Sequence, residues 1–192
     1  MNSSLSPATE QDLKYIEATL GRVPRGILAV SARDPKGLPI ALKMKCVVDN
    51  TPFPTHFWLC HELLIEKINF LESQRLVKPL EEYIEHNAEL KAAFYQDQIR
   101  YQSIRNKELS SEDIQFLESI GIYEKFTEGR GIGGIECFHK IRCLHMQVAH
   151  HVSDNNQIGQ ILNDRFNVLD FSESLSDFRT RVKADGLLEL SF

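Results

Sequence analysis

The stretch ILAVSARDPKGLPIALKMKCVV, residues 27–48, decides the fold class. Ile27 to Ala32 is a short apolar run, and Asp34, Pro35, Lys36 and Gly37 place proline and glycine where a type I turn uses them. Beyond the turn the period is two, with Ile40, Leu42, Met44, Cys46 and Val48 on one face and Lys43 and Lys45 on the other. That pattern predicts an antiparallel hairpin. Asp49, Asn50, Thr51 and Pro52 turn the chain again, and residues 53–60 read as a third strand whose prolines are confined to its start, where a missing amide is tolerated.

Outward from this sheet the period becomes helical. Leu64, Ile68 and Leu71 form an apolar stripe opposite Glu66, Lys67 and Glu72, which predicts a helix from about His61 to Gln74 with His61 at its start. Residues 79–106 are rich in Glu, Lys, Gln and Arg with aromatic and aliphatic residues interspersed, the composition of one or two amphipathic helices. Ser110 to Asp113 can cap a short helix that stops at Gly121. A helix over 143–152 should bury Leu144 and Val148, and another is expected over 155–166. Upstream, a helix starting near Ser6 or Thr9 carries Leu13, Ile16 and Leu20 and ends at Gly21. The expectation is an α+β domain over residues 11–168, its small, mainly antiparallel sheet made from about 26–60 and covered by several helices. A flexible tail is expected over 1–10 and a weakly specified one over 169–192.

With 192 residues, 42% apolar content and a net charge of −5, the chain suffices for one substantial core. No run of about 18 apolar residues is present and the first residues lack the pattern of a signal peptide, so a cytoplasmic protein is expected. Four cysteines at irregular spacing then read as reduced thiols or ligands, not a disulfide framework. The acidic balance leaves no nucleic-acid footprint.

Chemistry concentrates in residues 131–150, where three glycines, Cys137, Cys143, His139, His145 and His150 fall within twenty residues. Cys143 and His145 lie about 200° apart on a regular helix, so they can share an ion only if the backbone is extended there. A thiolate at a helix N-terminus would be favoured. His150 would be about 10 Å further along the axis, so remaining ligands must come from elsewhere, and His61 or Cys60 at a strand-to-helix junction fits. Gly131, Gly133 and Gly134 match no nucleotide fingerprint, but with Arg142 nearby their amides could form a nest for an anion. A plain glycine turn is the competing reading. Cys143 with His145 also offers a thiol and a base, without an orienting third residue in sequence. Arg22, Val23, Pro24, Arg25 and Gly26 make a second small basic cluster before the first strand.

Residues 22–26, Gly37 to Pro39, Thr51 to Leu59, Gly131 to Gly134 and Arg142 to His150, taken in order, resemble the bacterial domain-of-unknown-function family 501 over about residues 10–165. The family brings no activity with it. The resemblance implies cysteine in many members where this chain has Asp34, and cysteine followed by proline where it has His61 and Glu62. Since aspartate and histidine also ligate zinc, it implies a four-member set of Asp34, His61, Cys143 and His145.

Two readings follow. In one, a divalent metal, zinc by its donors, is held by those four residues beside an anion-binding loop of Gly131, Gly133, Gly134, Arg142 and Arg25. An open coordination position would then favour metal-assisted hydrolysis of a phosphorylated or other anionic small molecule, and a closed one a structural site. In the other, the chain is a non-enzymatic binding or regulatory module with structural thiols and no metal, contacting a partner protein.

Overall fold

The structure is a computed structural model that describes residues 5–188. Of the expected flexible N-terminal tail, residues 1–4 lie outside the described residues, but Ser6 pairs with Val30 through backbone hydrogen bonds of 2.8 and 3.1 Å and a helix begins at Glu10, so residues 6–10 are held against the domain. The end of the expected C-terminal tail lies outside the described residues at 189–192. Helix α1 (Glu10–Leu20) opens on a reciprocal cap between Thr9 and Asp12 and closes at Gly21, whose φ of 72° is the left-handed conformation a glycine reaches without strain. Then β1 (Ile27–Arg33) and β2 (Pro39–Met44) form the predicted hairpin. Its pairing is irregular: between Ala32↔Ala41 and Arg33↔Pro39 strand β2 carries one extra residue, Ile40.

The second strand is shorter than the alternation predicts. Asp49 and Asn50 both take positive φ, 48° and 54°, and fold residues 47–52 into a separate ribbon of β3 (Val47–Val48) and β4 (Thr51–Pro52). Asn and Asp tolerate that geometry, which two-residue hairpin turns require. Of the third predicted strand only β5 (Phe57–Leu59) remains, antiparallel to β2 in the order β1-β2-β5. Pro52 and Pro54 supply no amides to extend it.

The sheet is buried on both sides. Val30, Leu42, Met44 and Cys60 pack with Ile16 of α1, whereas Ala32, Ala41, Phe57 and Leu59 belong to the main core. That core is completed by α2 (Glu62–Ser73), α3 (Val77–His86), α4 (Ala88–Asn106) and the later helices. Helices α5 (Ser111–Ser119) and α6 (Tyr123–Thr127) enclose a smaller cluster with Cys46, Leu117 and Phe126. Helix α7 (Leu144–Asp154) buries Leu144 and Val148 as predicted and crosses beneath β5, and α8 (Gln157–Phe166) packs on it. The two approach at Gly159, where a Cβ would come within 2.1 Å of His151 Cβ.

Residues expected to form a weakly specified tail instead form α9 (Leu175–Ala184), with Phe178 and Val182 fully buried in the main core. Lys67, itself fully buried in α2, anchors the approach to it through Nζ to the Asp170 carbonyl at 2.6 Å. Leu175, Phe178 and Val182 stand three and four apart behind a Ser174 cap, so the helix is legible locally, but the burial of Phe178 and Val182 is a tertiary fact. Among the described residues no helix is long and apolar enough to cross a membrane.

Candidate metal centre

Helix α7 begins with an unusual cap. Its N-cap residue, Cys143, has an extended backbone (φ −161°, ψ 159°) and its side chain makes no capping hydrogen bond. The amide left over at the helix start is satisfied from another element: Leu144 N donates to Glu72 Oε1 at 2.5 Å, from the last turn of α2. The same carboxylate oxygen lies 3.3 Å from His145 Nδ1. A thiol, a carboxylate and an imidazole therefore converge, with one ligand atom each from Glu72, Cys143 and His145 all within 4.8 Å of one another. The three are partly buried. The extended conformation at Cys143 removes the 200° separation that a continuous helix would impose.

The electrostatics are those of an ion pair at neutral pH. Burial works to raise the Glu72 carboxyl, but hydrogen bonds from the His145 ring and the Leu144 amide outweigh it and hold Glu72 below its ordinary value. Burial likewise works against charge on His145, yet its hydrogen bonds to Cys143 and Glu72 prevail and push it up to about 9. The donor set of sulfur, nitrogen and oxygen suits zinc or a neighbouring transition metal, and three protein ligands leave a fourth tetrahedral position open.

Of the four ligands implied from sequence, Cys143 and His145 come together and His61 and Asp34 do not join them. His61 caps the start of α2 and Glu72 stands near its other end, eleven residues on, or about 16 Å at the rise of an α-helix. The helix itself separates the two places. Asp34 and His61 instead face each other, with Oδ2 3.5 Å from Nε2, both buried. Asp34 Oδ1 also accepts from the amides of Lys36 and Leu38 at 2.9 and 2.7 Å, which stabilises the turn between β1 and β2. Sequence reasoning missed Glu72. On the polar side of the α2 stripe it is indistinguishable from Glu66, and only the approach of α7 singles it out.

The expected anion nest is not assembled. Gly131 N donates to the Ile135 carbonyl at 2.9 Å, Ile132 N to Gln98 Oε1 at 2.7 Å, and Gly134 N to the Gly131 carbonyl at 2.9 Å, so these amides face inward. The glycines serve close packing: a Cβ on Gly131 would meet Gln98 Oε1 at 2.2 Å, and one on Gly134 would meet Pro54 Cγ at 2.7 Å. Gly133, at φ 67°, lies against Met146 and the Arg142 stem, and Arg142 itself is exposed. Arg25 pairs with Asp49 at the turn between β3 and β4 instead.

Other histidines and cysteines are placed by packing. His56 is fully buried, neither ring nitrogen has a hydrogen-bond partner among the described residues, and burial pushes it down to about 4. Burial pushes the thiols of Cys46 and Cys60 up to about 12, which makes them inert core residues.

A family model described as Protein of unknown function (DUF501) matches residues 30–164, a span that contains Glu72, Cys143 and His145. The chain belongs to that family. No curated protein and no solved structure matches it.

Proposed function

We propose that this member of the family binds one divalent transition-metal ion, zinc by its donor set, through Cys143, His145 and Glu72, and uses it to hydrolyse a small anionic molecule. The supporting observation is the convergence of three ligand types within 4.8 Å at the start of α7. The extended backbone at Cys143 sets its thiol at the head of that helix, and Glu72 is oriented by the Leu144 amide as well as by His145. A bound zinc would supply a polarised water at the fourth position, with a pKa brought to about 7. Arg142, exposed and next to Cys143, would attract an anionic substrate.

Protein purified without a histidine tag, in the wild-type and Cys143→Ala forms, should be assayed for metal by elemental mass spectrometry and for turnover of p-nitrophenyl phosphate and acetate. Near-stoichiometric zinc in the wild type, its loss in the variant, and zinc-dependent turnover are expected. A well-folded wild type that neither copurifies with zinc nor takes it up would overturn the site. Zinc without turnover would reduce it to a structural one.

A second reading has its own observation. The His145 imidazole lies close to both the Cys143 thiol and the Glu72 carboxylate, the three groups that an activated cysteine nucleophile uses. On this reading Glu72 is the orienting residue that the sequence does not reveal. Alkylation of Cys143 by iodoacetamide in metal-free protein should then slow sharply in Glu72→Gln, whereas a site that serves only as a metal ligand set has no such requirement.

A further inference from the structure

Three residues shape the backbone of the basic cluster before β1. Gly21 ends α1 at φ 72°, Pro24 is buried, and Gly26 takes φ 80° where a Cβ would come within 2.5 Å of Val48 Cγ2. The segment is thereby clamped against β3, and Arg22 and Arg25 face a common cavity of about 170 Å³ lined also by Thr51, Phe53 and Trp58. Phe53 and Trp58 are stacked, with centroids 5.5 Å apart and planes at 17°. Among the described residues no carboxylate lines this cavity, although the chain as a whole carries −5. Asp49, the partner of Arg25, does not line it, and both side chains are mostly exposed, 75% for the arginine and 62% for the aspartate. An ion pair so exposed is worth little, and an incoming anion can replace it.

We infer that this cavity binds a small aromatic anion, a single ring bearing one phosphate or carboxylate group. The ring would lie against Phe53 and Trp58 and the anionic group between Arg22 and Arg25. Guanidinium groups match the paired oxygens of phosphate and carboxylate, and a stacked aromatic pair offers a face for one more ring. Size narrows the class. A cavity of about 150 Å³ admits benzene, and pockets for drug-sized ligands run to roughly 300–1,000 Å³, so one substituted ring fills this one. The site shares no residue with Glu72, Cys143 and His145, and stands whether or not a metal binds there.

Trp58 is the sole tryptophan and reports directly on the cavity. Its fluorescence in the full chain should be titrated with phenyl phosphate and with benzoate, using inorganic phosphate and phenol as controls. We expect a saturable change with at least one aromatic anion, and the tighter of the two identifies the anionic group. Binding should weaken by about tenfold or more in Arg22→Ala and in Arg25→Ala. Asp49→Asn should tighten it by up to about fivefold, because it frees Arg25 while asparagine suits the φ of 48° at that position. A gain in affinity cannot arise from misfolding. The inference is overturned by a linear, non-saturating response to about 10 mM, by inorganic phosphate binding as tightly as the aromatic anions, or by affinities unchanged in Arg22→Ala and Asp49→Asn.

Discussion

Replacing Asp12 by asparagine removes the charge that ties α1 to the sheet. Asp12 is buried, and Arg33 of β1 grips both its oxygens, Nη1 to Oδ1 at 2.7 Å and Nη2 to Oδ2 at 2.8 Å. The Thr9 amide and hydroxyl also donate to Oδ2, at 2.8 and 2.9 Å. The hydrogen bond from Arg33 is the main cause that lowers the Asp12 carboxyl from 3.8 to about 2, against the opposing effect of burial. A depressed folded-state value stabilises above the unfolded value of 3.8, and the stabilisation is lost as pH falls through about 2. The displacement corresponds to about 2 kcal/mol at pH 7 and about 1 kcal/mol at pH 3. Asparagine keeps the shape and can still accept from Thr9, so the loss is mainly that of the charge. Urea denaturation followed by far-ultraviolet circular dichroism, on wild type and Asp12→Asn at both pH values, measures it. The expected deficit of the variant is about 2 kcal/mol at pH 7, halved at pH 3, with unchanged denaturant slope. A deficit below about 0.5 kcal/mol at pH 7, or one identical at both pH values, would refute the role assigned to the pair.

Four further outcomes are expected. Gly159→Ala forces a methyl into the contact between α7 and α8 and should cost about 3 kcal/mol, read as a lowered Tm, since the obstacle is the Cβ of His151 and not a flexible tip. Phe178→Ala should cost about 3–5 kcal/mol in denaturant unfolding, because it empties a fully buried site that also faces Phe70 and the Lys67 ammonium; a small loss would mean that α9 is not docked. Arg105→Met should destabilise by several kcal/mol, on the order of 3, measured the same way: the buried guanidinium donates to the Arg130 and Phe126 carbonyls at 2.7 and 2.6 Å, which methionine would leave unpaired. A thiol reagent such as Ellman's should titrate Cys137 and Cys143 in the native metal-free protein and release Cys46 and Cys60 only on unfolding; four fast thiols would contradict the burial of the core pair.

The sheet was legible because its signals are local. The alternation of Leu42 and Met44 against Lys43, the Asp34 to Gly37 turn and the glycine stops at Gly21 and Gly121 act within a few residues and are found where the pattern puts them. The extra residue Ile40, by contrast, breaks the alternation and packs in the main core. Helix α7 was legible too, with its start at Cys143, and so was the pairing of Cys143 with His145 on condition of an extended backbone. What failed was reach. His61 looked like a ligand because it stands at a junction, but it begins the very helix whose far end supplies the third donor. The glycine loop looked like an anion nest because glycines expose amides, but Gln98 and the loop's own carbonyls take them.

By itself the sequence determined the class of the fold, its helical periods and the presence of thiol and imidazole at the head of one helix, because hydrophobic spacing, caps and turns depend on neighbours along the chain. Tertiary structure alone decided that Glu72 meets them, that Asp34 is left to His61, that Arg22 and Arg25 border an aromatic cavity, and that residues 175–184 are a docked helix. Those facts join residues tens of positions apart. They are set by how α2, α7 and α9 pack on one core, and a carboxylate or an arginine carries no mark in sequence of the partner that packing will bring to it.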